Sequence, residues 1–360
     1  MAQIFRFKII YIFQCNSNLV VMKVLVTGGT GYIGRILIPD LIKKGHEITV
    51  IDRGFIDYSN LIDDYGNNAN LLREDIRTCD PELLKGFDAV IDLAALSNDP
   101  AGNLNKMSTW DINYIGRLRI ARLSKKLGTK KYVVASSCSV YGFQDDICTE
   151  RTSTNPLTTY AEANVAVEND NTALNDKNFR STALRFATVF GYSKRFRLDL
   201  VINAMTFYGY KNGIIKMMRD GLQYRPFIHV KDVSRALIST IESDNDEIGG
   251  KSINMGSNSL NLQIKDVAET IKKKLGGNTE IELYGDPDNR SYKVNFDLAK
   301  KLLNFETKYD LNYGIDEIIN ECKKGLDDIP QMHTVDYYKK LLYYESELKR
   351  FSNLKSKIIL

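Results

Sequence analysis

The chain holds 360 residues, 43% of them hydrophobic and 26% charged, with 49 Lys and Arg against 45 Asp and Glu for a formal net charge of +4. That is the make-up of a globular protein with room for one large core or two modest ones. The charge is small and mixed in sign, so it gives no pull toward nucleic acid or membrane, although it suits an anionic small molecule.

Residues 1–21 carry an apolar stretch, Phe5 to Phe13, broken by Arg6 and Lys8. It is too short to span a bilayer and no small-residue cleavage site follows, so an N-terminal extension is expected. From Met22 strand and helix signals alternate. Residues 23–27 are a β-branched run expected as a buried strand. A glycine cluster follows, then a helical pattern over 32–44 that contains Pro39, costly inside a helix, and closes at Gly45. Further strands are expected at 47–51, 88–93, 131–135 and 181–186. A long helix is expected at about 109–127, closed by Gly128. Alternation of this kind argues for a parallel sheet with helices on both faces. Beyond Gly191 the pattern is less regular. Helices are expected at 195–210, 230–242 and 262–275, strands at 213–218 and 251–255, and a Tyr-rich helix at 334–350.

The expected fold is therefore α/β, a Rossmann-type doubly wound parallel sheet over 22–190. Segments near 225–256 return to it. A smaller substrate-binding lobe takes 191–330, and 331–360 form a helical tail. The five cysteines are scattered and without a CxxC pair, and His46, His229 and His333 form no metal motif, so neither a disulfide framework nor a metal site is expected. A reducing, cytoplasmic setting follows.

The strongest local signal is Thr27-Gly28-Gly29-Thr30-Gly31-Tyr32-Ile33-Gly34, which holds both GxGxxG and GxxGxxG between a strand and a helix. Glycines allow the tight turn, close approach of a pyrophosphate and helix–strand packing. The helix start then offers free N–H groups and a positive dipole end. Gly28, Gly31, Tyr32, Ile33 and Gly34 are the expected phosphate cradle. Asp52, ending the second strand, can accept both ribose hydroxyls of NAD and repel a 2′-phosphate. Arg53 beside it would welcome that phosphate; NAD is the expected cofactor. Asp75 and Ile76 are expected beside the adenine.

With Ser136-Ser137-Cys138-Ser139-Val140-Tyr141-Gly142, Tyr160 about twenty residues later, and the run RPFIHVKDV at 225–233, the chain resembles the extended short-chain dehydrogenase/reductase family, from Met22 to about residue 325. The resemblance implies an NAD-dependent enzyme on a nucleotide-linked sugar. In that family a Ser or Thr, a Tyr and a Lys act together. The Tyr moves a proton at a sugar hydroxyl, the Ser orients that hydroxyl, and the Lys binds the nicotinamide ribose and lowers the Tyr pKa. By motif position Ser137 and Tyr160 match, while Asn164 stands where the Lys belongs. A free Tyr has a pKa of about 10, so it needs an electropositive setting to act near neutrality. Arg185, Arg195 and Arg197 are candidate substitutes for the missing cation.

The resemblance also implies that Leu93, Ala94 and Ala95 border the cofactor and that Ser97 and Asn98 border the sugar. Arg225 and Arg290 would meet the nucleotide diphosphate through their bidentate forks, and Asn203 would lie near the substrate phosphate. Cys138-Ser139 carries no carboxylate where 4,6-dehydratases have one, which argues against that chemistry. His229 is expected to be structural, Asn113 to support the site through packing or a hydrogen bond, and Cys138 not to be a nucleophile. A homodimer through the helices near 109–127 and 160–175 is implied. A UDP-glucose 4-epimerase-like activity through a transient 4-keto sugar is the leading expectation. A 4-keto reductase or other oxidoreductase of the same fold, or a non-catalytic NAD- or sugar-nucleotide-binding relative, are the alternatives.

Overall fold

The computed structural model describes residues 21–55, 64–65, 68–288 and 290–353, so the expected extension over 1–21 lies outside the described residues but for Val21. The main sheet is built from β1 (Lys23–Thr27), β2 (Glu47–Asp52), β3 (Ala69–Arg73), β4 (Ala89–Asp92), β5 (Lys131–Ser137), β7 (Arg180–Phe186) and β11 (Lys251–Met255). β6 is a short strand at Ile147–Cys148, β8 lies at Thr188–Phe190 and β10 at Tyr224–His229. The seven strands run in the order β11-β7-β5-β4-β1-β2-β3, every pairing parallel. The order reverses at β1, between β2 and β4. Open sheets of this kind bind ligands at the carboxyl ends of the strands beside such a switch point.

The pleat explains the two-faced burial. On β1, Val24 and Val26 join one apolar cluster while Leu25 joins another on the opposite face. The first cluster is closed by α1 (Gly34–Lys43) and by the helix at Val230–Glu242. The second is closed by Ile120, Ala121 and Val167. Those residues lie on the long helical stretch after β4 and on the helix at Thr159–Ala173.

That long stretch begins earlier than the sequence pattern indicates. α2 (Asp99–Leu104) and α3 (Lys106–Trp110) lead into a π-helical turn, Asp111–Gly116, and then α4 (Arg117–Lys126). α5 is Thr159–Ala173.

The expected helix from residue 195 begins only at Val201, as α6 (Val201–Asn212). Leu200 is extended at φ −95°, and the Leu198 N–H donates to the Met332 carbonyl at 2.9 Å, a tertiary bond in place of a helical one. β9 (Ile214–Met218) pairs with the strand at Glu280–Tyr284, which the sequence pattern did not reveal. The expected helix from 262 is shortened to Ile264–Leu275, because 261–263 pair with the strand at Tyr224–His229. A third cluster, with Phe190, Ile202, Phe227, Val267 and Ile271, forms the core of this second half. The chain ends in a helix at Thr334–Asn353.

Candidate active site

At the end of β1 the chain must turn sharply under β4. Gly28 takes φ +69°, and a Cβ there would stand 2.7 Å from the Ala94 nitrogen. Gly34 opens α1, where a Cβ would stand 2.2 Å from the Gly29 carbonyl. Both positions therefore exclude any side chain, and the helix start is brought to the sheet edge. α1 has no side-chain cap; the N–H groups of Arg35, Ile36 and Leu37 bond to the Gly31 and Ile33 carbonyls, so those left for an anion are the N–H groups of Tyr32, Ile33 and Gly34. Asp52, at the end of β2, accepts from the Thr30 N–H at 3.0 Å and the Gly54 N–H at 2.8 Å, tying the glycine turn to the neighbouring strand. Arg53 hydrogen-bonds Asp75 at 3.1 Å and stacks on Phe55 at 4.7 Å. Burial opposes charge on Asp75, but hydrogen bonds from Arg77 hold its carboxyl below the ordinary range.

All of these face one cavity of about 690 Å³. Its wall includes Gly28, Gly31, Tyr32, Ile33, Gly34, Asp52, Arg53, Asp75, Ile76, Leu93, Ala94, Ala95, Ser97, Asn98, Ser137, Tyr160, Arg225 and Arg290. The expected cofactor, sugar and diphosphate residues thus meet in one place, with two exceptions. Asn203 is fully buried outside the wall: it accepts from the Gly191 N–H at 2.9 Å and donates to the Tyr32 hydroxyl and the Arg197 carbonyl. Its polar atoms hold the loop before α6, which leaves none for a substrate phosphate. Asn164 is 1% exposed and also lies behind the wall.

Ser137 ends β5, and its hydroxyl accepts from the Ser139 N–H at 3.1 Å. Tyr160 sits in the first turn of α5. That turn is capped by Thr158, which accepts from the Ala161 N–H and donates to Asp99 at 2.6 Å. Gly102 of α2 packs directly on it; a Cβ there would stand 2.8 Å from the Tyr160 Cβ. Burial raises the Tyr160 pKa; Asn164 beside the hydroxyl lowers it, Asp99 raises it, and Arg117 and Arg197 lower it. Ser137 and Tyr160 both present hydroxyl-bearing side chains to this wall, which the glycine turn shares.

At the opposite end Arg225 and Arg290 both clasp Asp288, Arg225 at 2.8 Å and Arg290 through Nε and Nη2 at 2.9 and 2.8 Å. Arg290 also reaches Asp99 at 2.6 Å. Burial opposes charge on Asp288, and the two arginines hold it below the ordinary carboxylate range. Between the ends, Arg197 bonds the Ser97 hydroxyl at 3.1 Å and its carbonyl at 3.2 Å and pairs with Asp199, which also receives Asn98.

Asn113 accepts from the Leu96 N–H at 2.8 Å and donates to its carbonyl, fixing the strand end beside Ser97. His229 caps its helix by accepting from the Lys231 N–H, and its other nitrogen meets Glu317 at 3.0 Å. The Cys138 thiol is buried against the Arg185 carbonyl, and that burial pushes its pKa well up, so it is no nucleophile. Arg185 is taken by Glu168, and Arg195 by the Phe196 carbonyl and Thr334.

Two participants escaped the sequence reading. Arg117 of α4 is 1% exposed, pairs with Asp92 at 3.1 Å, and forms part of the cavity wall. A signal for it existed: Asp92 stands in an apolar strand, and a buried charge needs a partner. Tyr338, on the C-terminal helix, also reaches the wall; nothing local marks it.

A glycine turn feeding an uncapped helix, an acid ending β2, and Ser137 with Tyr160 on the wall of the same cavity define a dinucleotide-binding protein of the Rossmann class. This chain belongs to the NAD dependent epimerase/dehydratase family, whose model matches residues 24–256; NAD is the cofactor of that family. It is similar to UDP-glucuronic acid decarboxylase 1 of Arabidopsis thaliana, 27% identical over 320 residues covering 85% of this chain and 71% of that protein. It is also similar to UDP-glucuronate 4-epimerase of Thermodesulfobacterium geofontis (strain OPF15), 26% identical, covering 84% and 97%. Among solved structures, MoeE5 in complex with UDP-glucuronic acid and NAD superposes with a TM-score of 0.75 at 26% identity, covering 84% of this chain and all of that one. Among the described residues no helix is long and apolar enough to cross a membrane.

Proposed function

We propose that the chain is an NAD-dependent nucleotide-sugar epimerase, UDP-glucose 4-epimerase-like, acting through a transient 4-keto sugar. The observation that carries this reading is the Ser137–Tyr160 pair on the wall of one cavity that runs from the glycine turn to Arg225 and Arg290. The donor set fits NAD: the uncapped start of α1 receives the pyrophosphate, and Asp52 at the rim accepts ribose hydroxyls. When bound, NAD would supply the hydride acceptor and donor for the sugar carbon. Tyr160 accepts the proton of the C4 hydroxyl as that carbon is oxidised and gives it back when the keto group is reduced on the other face. Ser137 donates to the same oxygen and fixes its position. Arg225 and Arg290, each preorganised by Asp288, hold the diphosphate, while Ser97 and Asn98 border the sugar.

Asp52 on the cavity wall favours NAD over its 2′-phosphorylated form. The relatives that act on UDP-glucuronic acid make that compound the first substrate to try beside UDP-glucose. Incubation with each, followed by NMR of the products, tests the reading; the 4-epimer is expected without added reductant. Release of carbon dioxide would assign decarboxylation instead, and consumption of added NADPH would assign a 4-keto reductase. Binding without turnover would leave the non-catalytic reading, which the Asn at 164 favours. A cytoplasmic homodimer through α3–α4 and α5 accompanies the proposal; Met107 and Ile115 on the first stretch are 79% and 55% exposed. Light scattering at a monomer's mass would remove it.

A further inference from the structure

We infer that Arg117 is the cation of this site: it holds Asn164 so that the amide of Asn164 faces the Tyr160 hydroxyl, and the two residues together do what a lysine at 164 would do alone. The inference rests on the reading of Tyr160 as the proton-transfer group.

Tyr160 and Asn164 are one turn apart on α5 and share a face. Arg117 reaches Asn164 from α4 and itself touches the cavity wall, and its guanidinium meets four acceptors. Its Nε donates to Asp92 at 3.1 Å, and its Nη2 donates to the carbonyls of Asp92 at 3.1 Å and Ala135 at 2.6 Å. Its Nη1 points the other way, to the Asn164 Oδ1 at 3.5 Å. That contact orients the amide, because an arginine offers only donors and must meet the oxygen of Asn164. The Asn164 Nδ2 is then turned away from Arg117, and it is a buried donor with no hydrogen-bond partner. Such a donor is costly to leave unmatched. A phenolate oxygen at Tyr160 is the acceptor it lacks.

The charge balance supports the same assignment. Asp92 faces Arg117 from the far side, but its carboxylate also receives the Thr27 hydroxyl at 2.6 Å and the Tyr132 hydroxyl at 2.8 Å. These donors stabilise the Asp92 charge independently and leave the Nη1 end of Arg117 directed at Asn164. The other charges facing Tyr160 are Asp99 from α2, which opposes the phenolate, and Arg197 from the loop before α6, which favours it. Arg197 carries Asp199 on the same guanidinium edge and bonds Ser97 with the rest, so it has no nitrogen left for Asn164. Arg185 and Arg195 are held elsewhere by Glu168 and by Thr334.

The test follows Tyr160 itself. In the full chain, the ¹³Cζ resonance of Tyr160, assigned by its loss in Tyr160→Phe, is titrated with and without NAD. Arg117→Gln is expected to raise the midpoint by about one pH unit, tenfold in the ionisation constant. Arg117→Lys keeps most of the wild-type value, and Asn164→Lys lowers the midpoint and makes a second Arg117→Gln change nearly silent. A merely structural role for Arg117 would lower the melting temperature and leave the midpoint where it was; that result overturns the inference. Should Arg117→Gln fail to fold with Asp92 unpaired, Asn164→Leu, which keeps that pair, must raise the midpoint by itself, and an unmoved midpoint there is equally fatal. Failure of every nucleotide sugar to turn over would remove the proposed reaction, yet the titration of the free protein would still decide the role of Arg117.

Discussion

Tyr160 is raised by its burial and pulled back by an amide and two guanidinium groups. Tyr160→Phe keeps the ring that packs on Gly102 and removes the proton carrier. Turnover should fall by about 10²–10⁴-fold while the melting temperature holds; steady-state kinetics beside a thermal melt checks both. Gly34 fails for a different reason. Its Cβ would overlap the Gly29 carbonyl at 2.2 Å, so Gly34→Ala must shift the glycine turn, and calorimetry should show NAD affinity down at least about tenfold. The buried pair is the third residue-scale case. Arg117→Ala leaves Asp92 charged and unpaired at 0% exposure, which should cost about 3–5 kcal/mol in urea denaturation.

At the scale of elements, the site depends on pieces far apart in sequence. The C-terminal helix at Thr334–Asn353 joins the cavity through Tyr338 on its wall. Thr334 donates to Asp199 at 2.8 Å and receives Arg195 at 2.9 Å, and the Tyr337 hydroxyl reaches the Phe55 carbonyl at 2.7 Å. Phe55 follows the Asp52–Arg53 end of β2, so this helix bridges the ribose end of the cavity to the loop before α6. A chain stopped after His333 should bind NAD about tenfold more weakly, the worth of one or two hydrogen bonds; unchanged affinity would detach the helix from the site.

A second junction is Glu317, on the helix at Leu311–Lys323, which accepts from His229 at 3.0 Å, from Lys231 and from the Tyr192 N–H at 2.9 Å. Burial opposes its charge, but these partners hold its pKa below the ordinary value. Its contribution to stability is complete above the unfolded pKa of about 4.3 and is lost as pH falls through the lower folded value. Glu317→Gln lacks that contribution already at neutral pH. Its stability should therefore fall less steeply than wild type below about pH 4.3, and equal acid slopes in the two proteins would contradict the assignment.

Over the whole molecule, one cavity draws its walls from both ends of the chain, and this sets what could be read in advance. Six of the seven strands of the main sheet (all but β3), the glycine turn, Asp52, Ser137 and Tyr160 were legible because each is marked by local pattern: β-branched runs, glycine spacing, or a residue at a motif position. The residues that set the electrostatics were not. Arg117 lies near Arg119 and Arg122 in a helix rich in cations, and only the packing of α4 beneath α5 turns this one inward. Asn203 matched a ligand position by motif, yet it serves Gly191, Tyr32 and Arg197 once the chain is folded. Residues 195–200 have the spacing of a helix start but are tied instead to distant segments: Arg195 to Thr334, Arg197 to Ser97 and the Leu198 N–H to the Met332 carbonyl.

The sequence alone determined the fold class, the dinucleotide turn and the Ser–Tyr pair, because sheet burial, sharp turning and motif position are properties of neighbours along the chain. The tertiary structure decided which cation stands behind Tyr160, which polar side chains remain for a ligand, and that the last helix closes the cavity. Those depend on which distant groups compete for the same hydrogen bonds and charges, and that competition is settled only when the elements pack.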